Sequence, residues 1–214
     1  MNEAQLVLFG VILCIAVAIT ARYLGYAATA SVCGLFMCLV PATGGVPIDF
    51  FGLTNFGNLL YAPVIVGTVL TRRRFGHDKA FRQVWIVFSM LLLRLGILTI
   101  VVNTHKGSVV DALRLLTDWS IRLTSASFFA YVFANVVAIN FASRPWLALL
   151  AAQTVDSICF FPIAFIGTEF PIVQAMISGW LCKCAISACA LPLFKLFPFQ
   201  TDSRAEHASQ QIAT

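Results

Sequence analysis

The chain has 214 residues, 60% of them hydrophobic and 11% charged, with 19 Phe and a mean hydropathy of +0.90. Water-soluble domains are about half apolar and a quarter charged, so these proportions exclude a soluble globular protein and leave a polytopic membrane protein. The net charge of +5 is no nucleic-acid footprint, because much of it sits in Arg72, Arg73, Arg74, Lys79 and Arg82, gathered between two apolar runs.

Backbone polar groups must be satisfied internally in hydrocarbon, and the alternating pattern of a membrane barrel is missing, so the spans are helices. The first apolar segment, about 5–22, begins with Glu3 and is followed by Arg22, the reverse of a signal peptide's charge order, and reads as a retained helix. The second runs over 25–42. The Gly- and Pro-rich stretch 42–56 then connects to a short third segment, 56–71, whose Pro63 and Gly67 predict a broken or partly re-entrant helix. The basic cluster follows; it reads as a cytoplasmic retention signal, with anionic-lipid contact as the alternative. The fourth segment, 84–103, carries Arg94 inside the membrane. Residues 104–121 place Val110, Leu113 and Leu116 at helical spacing among charges, which predicts a short amphipathic helix on the membrane surface. Segments 122–141, 145–166 and 172–197 complete the series, with Gly25, Pro41, Gly76, Pro145 and Pro171 as punctuation.

The expected fold is therefore an all-α polytopic bundle of six to seven transmembrane helices with an added N-terminal helix. It forms a single domain over 1–200, followed by a disordered cytoplasmic tail over 201–214. With the basic loop inside, Arg22, Arg144, Lys195 and Arg204 also fall inside, giving an inner-membrane protein with its N-terminus outside and its C-terminus cytoplasmic. The seven cysteines lie within apolar segments and read as small hydrophobes, with no disulfide framework and no metal site. No phosphate-binding loop, His–Glu metal motif or nucleophile–base pair is present, so neither an enzyme nor a cofactor is expected.

The sixth segment carries one ionisable group, Asp156, at the middle of the 22-residue run Pro145–Ile166. A carboxylate there costs at least about 2.5 kcal/mol to insert, so it calls for a partner charge, a water-filled cavity or a ligand. Two neighbouring segments offer the opposite sign, Arg122 and Lys183. Gln153, Asp156, Ser157 and Phe160 follow i, i+3, i+4 and i+7, which is one helix face. An amide and a carboxylate with an aromatic ring alongside suit a flat heterocycle; a purely structural ion pair is the plainer alternative. On the fifth segment Ser127, Tyr131 and Asn135 line one face beside a small-residue stripe of Ala126, Ala130 and Ala134.

These strings resemble the queuosine precursor transporter family, also called the vitamin uptake transporter family. Its R-x-x-x-A-S-x-x-A-[FY] is met by Arg122, Ala126, Ser127, Ala130 and Tyr131. Its Q-x-x-D-[TS]-x-x-F is met by Gln153, Asp156, Ser157 and Phe160, and its last-helix lysine by Lys183. The likeness covers about 26–197 and is specific in the last three spans. The chain departs from the family pattern at Val69 and Arg73, where acids are expected, at Asn135 for a common Gln, and at Ala138 for a frequent Asp. Segment 5–22 looks like an addition to the family's six helices.

The resemblance implies import of a 7-deazaguanine queuosine precursor. Asp156 and Gln153 would read its pyrimidine edge, Asn135 would add a polar contact, and Phe160 and Tyr131 would stack. Arg122 and Lys183 would balance Asp156. A carrier or substrate-binding subunit for another heterocycle or vitamin, and a non-transport assembly protein, are the alternatives. The expected partners are a small heterocycle and the bilayer, with homo-oligomers left open.

Overall fold

In the computed structural model of the chain, the described residues are 2–44, 46–104 and 110–198; the tail expected over 201–214 lies outside them. Helix α1 (Glu3–Ile19) starts on a capping box, in which Asn2 and Gln5 each accept the other's backbone N–H through their side chains. A π-helical turn, Thr20–Leu24, leads to Gly25, whose φ of 83° lets the chain leave the helical path before α2 (Gly25–Thr43). Val17 and Cys33 both pack against Gly67, although a straight helix would set them about 24 Å apart. The chain therefore doubles back here, and α1 and α2 run antiparallel.

The helices α3 (Gly57–Phe75), α4 (His77–Thr104), α5 (Val110–Asn140), α6 (Pro145–Phe165) and α7 (Ile172–Ala190) follow, and a 3-10 turn, Leu191–Leu196, closes the bundle. Helix α3 touches all six others. Contacts α1–α7, α7–α6, α6–α5, α5–α4 and α4–α2 close a ring around it. Every residue from Gly57 to Thr71 is buried, so α3 is the central post. Such a helix is buried all round and has no solvent-facing side.

Among the described residues, five helical stretches are long and apolar enough to cross a membrane: Glu3–Thr43 (the α1–α2 pair), His77–Ile100, Trp119–Asn140, Pro145–Phe165 and Ile172–Leu196. The expected all-α membrane bundle is the observed class.

Three local expectations change. Segment 56–71 is neither broken nor re-entrant; α3 continues through Pro63, held by packing on every side. Pro41 lies inside α2 rather than at a turn. The expected surface helix over 104–121 is, from Val110 onward, the first part of a 31-residue α5, since neither Pro nor Gly interrupts that run; residues 105–109 lie outside the described set. The connection 42–56 contains a small antiparallel hairpin, β1 (Pro47–Asp49) with β2 (Leu53–Asn55), pairing Ile48 with Thr54. Its tip is tight: Phe51 and Gly52 both have positive φ, 49° and 127°, and the Gly52 N–H donates to Asp49 at 3.2 Å.

Candidate functional site

Asp156 lies midway along α6 and Lys183 midway along α7, both facing α3. The Lys183 ammonium donates to the Asp156 carboxylate in the bundle interior, where Lys183 is fully buried and Asp156 is 4% exposed. Two rings flank the ammonium, with Nζ 5.6 Å from the Tyr61 centroid and 5.9 Å from that of Phe161. The helices come this close because Gly179 has no side chain. A Cβ there would lie 2.8 Å from Phe161, 2.9 Å from the Asn58 amide and 2.9 Å from the Thr54 hydroxyl.

Above the carboxylate is a small cleft lined by Asn55, Asn58, Tyr61, Ser127 and Phe160. Its free volume of about 10 Å³ holds roughly one water. Asn58 donates its amide to Thr54 Oγ1 at 2.8 Å and reaches Asn55 Oδ1 at 3.3 Å, so the hairpin and the first turn of α3 form one polar roof. The hairpin tip rests on α7 through Ser178 Oγ donating to the Phe51 carbonyl at 3.4 Å.

Three buried polar atoms of the cleft lining have no hydrogen-bond partner, Asn55 Nδ2 and the hydroxyls of Tyr61 and Ser127; on the buried face of α6 the same holds for Ser157 Oγ and Gln153 Oε1. Gln153 uses only its amide nitrogen, donating to Ser187 Oγ at 3.2 Å. The Tyr61 hydroxyl lies beside the Asp156 carboxylate without completing a hydrogen bond. A few such orphans per 100 residues are normal, and each wants a reason. Three of them gather in the cleft beside the buried ion pair.

Of the residues singled out from the sequence, the structure brings together Asp156, Lys183, Phe160 and Ser127. Gln153 and Ser157 share the buried face of α6, and Tyr131 lies near Tyr61. Two lie elsewhere. The Arg122 guanidinium donates to the Ile166 carbonyl at the end of α6 rather than balancing Asp156, so it pins α5 to the α6–α7 turn. Asn135 is occupied away from the cleft, accepting from Thr68 Oγ1 at 2.5 Å and donating to the Tyr131 carbonyl at 2.8 Å. Arg94 meets the Cys38 carbonyl and reaches Thr124 Oγ1 at 3.5 Å. Sequence reasoning missed Asn55, Asn58 and Tyr61. Asn58 and Tyr61 stand one turn apart in an apolar run, which was a usable signal; Asn55, in an aperiodic connection, gave none.

Residues 55–197 match the family model described as "Putative vitamin uptake transporter". That range includes every site residue from Asn55 to Lys183 and leaves out α1 and α2. Among curated proteins, a "Probable queuosine precursor transporter" of Bacillus subtilis (strain 168) is 25% identical over 166 residues, 68% of this chain and 72% of that protein. A protein of the same description from Haemophilus influenzae is 24% identical over 139 residues, 60% of this chain and 59% of that one. No solved structure matches the chain.

Proposed function

The chain belongs to the vitamin uptake transporter family, and from that premise we propose that it imports a 7-deazaguanine queuosine precursor across the inner membrane. The precursor is 7-cyano-7-deazaguanine or its aminomethyl form. The observation that carries this reading is the set of unpartnered polar atoms, from Asn55, Tyr61 and Ser127, that line the cleft beside the buried Asp156–Lys183 pair. A deazapurine has N–H and carbonyl groups on its edges and two flat apolar faces. Asp156 accepts its N–H groups, Gln153 Oε1 and the hydroxyls of Ser127 and Ser157 supply the remaining polar contacts, and Phe160 and Tyr61 stack. Lys183 positions Asp156 when the site is empty. Tyr131 supports Tyr61 from behind.

Small-molecule pockets run to about 300 Å³ or more, so the cleft above Asp156 is read as a closed arrangement that opens to admit the ligand. The arginine-rich end faces the cytoplasm, which sets the N-terminus outside and the C-terminus inside.

The test is rescue of queuosine in tRNA, from nanomolar external precursor, in a bacterium unable to make the precursor. Wild type restores it, and Asp156→Ala, present in the membrane at equal level, does not. Rescue by both proteins would remove Asp156 from the site; no rescue by well-expressed wild type would remove the substrate.

A second reading, a different heterocycle on the same scaffold, is favoured by Val69 and Arg73. Where acids are expected, Val69 is buried and Arg73 donates to the Phe197 and Ala142 carbonyls. A ligand-stabilisation screen over purines and vitamins decides between the two.

A further inference from the structure

A file of buried polar side chains leaves the Asp156 site and runs toward the arginine-rich end. Tyr61, beside Asp156, is near Tyr131. One turn on, Asn135 donates to the Tyr131 carbonyl and accepts from Thr68 on α3. The Gln83 amide on α4 reaches Thr68 Oγ1 at 3.4 Å and accepts from Thr71 Oγ1 at 2.6 Å. Thr71 directly precedes the arginines. Tyr131, Asn135, Thr68, Gln83 and Thr71 are all fully buried. Cys33 of α2 lies against this file, next to Gln83 and packed on Gly67.

A network whose only task is to join helices satisfies its own members. This one does not. The Tyr131 hydroxyl, fully buried between the cleft and the amides, has no partner, nor has that of Tyr26, its neighbour on α2. Polar groups at this depth that face the bundle interior mark solute paths.

We propose that the file is the inner half of the transport path, with a second, uncharged station for the solute formed by Asn135, Thr68 and Gln83 between α3, α4 and α5. The inference rests on the transporter reading above. Two amides and a hydroxyl, paired with one another in this structure, exchange those bonds for the edges of a neutral heterocycle as it passes. With no carboxylate or ammonium of its own, the station holds the solute less tightly than the Asp156 site and releases it to the cytoplasmic end.

Cys33 is a built-in reporter. Vesicles carrying the protein in each orientation are treated with a membrane-impermeant cationic methanethiosulfonate, and modification of each native cysteine is read by mass spectrometry, with Thr68→Cys as a second probe. The expected result is modification of Cys33 and of Thr68→Cys from the arginine-rich side at least about tenfold faster than from the other side. In parallel, Gln83→Leu lowers the uptake rate of labelled 7-cyano-7-deazaguanine at least about tenfold while its Kd stays within about threefold. Protection of both cysteine probes from both sides, in a protein that transports, overturns the path, as does a Gln83→Leu protein with unchanged uptake. If wild type takes up no 7-cyano-7-deazaguanine, the substrate reading fails, and the sidedness of cysteine modification alone decides the path.

Discussion

A lysine and a carboxylate taken out of water together stabilise each other only while both are present. Removing one strands the other and is strongly destabilising, by about 3 to 5 kcal/mol, whereas removing both is often near neutral. Lys183 and Asp156 meet the conditions for that argument, being buried and in contact. Lys183→Met is therefore expected to lower the thermal midpoint of the purified protein sharply, and Lys183→Met with Asp156→Asn to recover most of the loss without recovering uptake. A double variant that transports would leave the pair a purely structural role. Tyr61 gives the opposite sign. Its hydroxyl completes no hydrogen bond in the closed cleft, so Tyr61→Phe removes an unsatisfied polar group, and stability holds or rises by up to about 1 kcal/mol. If the hydroxyl contacts the ligand, affinity falls about tenfold in the same variant. Paired melting and binding curves test both halves, and loss of stability with intact binding would contradict them.

At the scale of elements, the site depends on how near α7 approaches α3 and the hairpin. Gly179 sets that distance, since even a single added carbon meets Phe161, Asn58 and Thr54 inside 3.0 Å. Gly179→Leu is expected to cost about 1 to 3 kcal/mol through overpacking, more than the gain of about 1 kcal/mol in helix propensity, and to abolish ligand binding. A melting curve on the folded variant measures it; unchanged stability would mean that α7 stands further off. The same elements show what the sequence could and could not tell. Most of the spans were legible because a run of some twenty apolar residues has few other uses. Asp156 and Lys183 were legible because a charge inside such a run is costly wherever it occurs. The central place of α3 was not, because a helix buried on all sides has no polar face to orient it, and Pro63 suggested a break that packing prevents. Asn135 was grouped with Asp156 and Gln153 when it bonds Thr68, 67 positions away in sequence and outside the Asp156 cleft. Arg122 was assigned to Asp156 when a backbone carbonyl takes it. Local spacing gives the face a side chain is on, not which of several neighbours that face meets.

Over the whole molecule, the basic residues that follow α3's buried run gather at one end of the bundle and tie its segments together. Arg73 donates to the carbonyl of Phe197 at 2.7 Å and to those of Ala142 and Ser143 at 3.1 and 3.4 Å, tying α3 to the α5–α6 turn and to the segment after α7. Arg74 lies over the rings of Phe75 and Phe197, and Lys79 lies over Tyr26. Two roles coincide at Arg73, and one substitution separates them. A charge of either chemistry satisfies the bias that keeps this end in the cytoplasm. Only the planar guanidinium presents several fixed donors to carbonyls in different directions; an ammonium on a flexible stem does not reproduce that fork. Arg73→Lys is therefore expected to leave the topology unchanged, read by an active fluorescent protein and an inactive alkaline phosphatase fused at the C-terminus. Hydrogen bonds from charged donors contribute about 1.5 to 3 kcal/mol each, which in a chain of this size corresponds to a drop of about 3 to 12 °C in the thermal midpoint for each bond lost. An unchanged midpoint would mean that the carbonyl contacts do not hold this end together, and an active phosphatase would reverse the orientation on which inward transport depends.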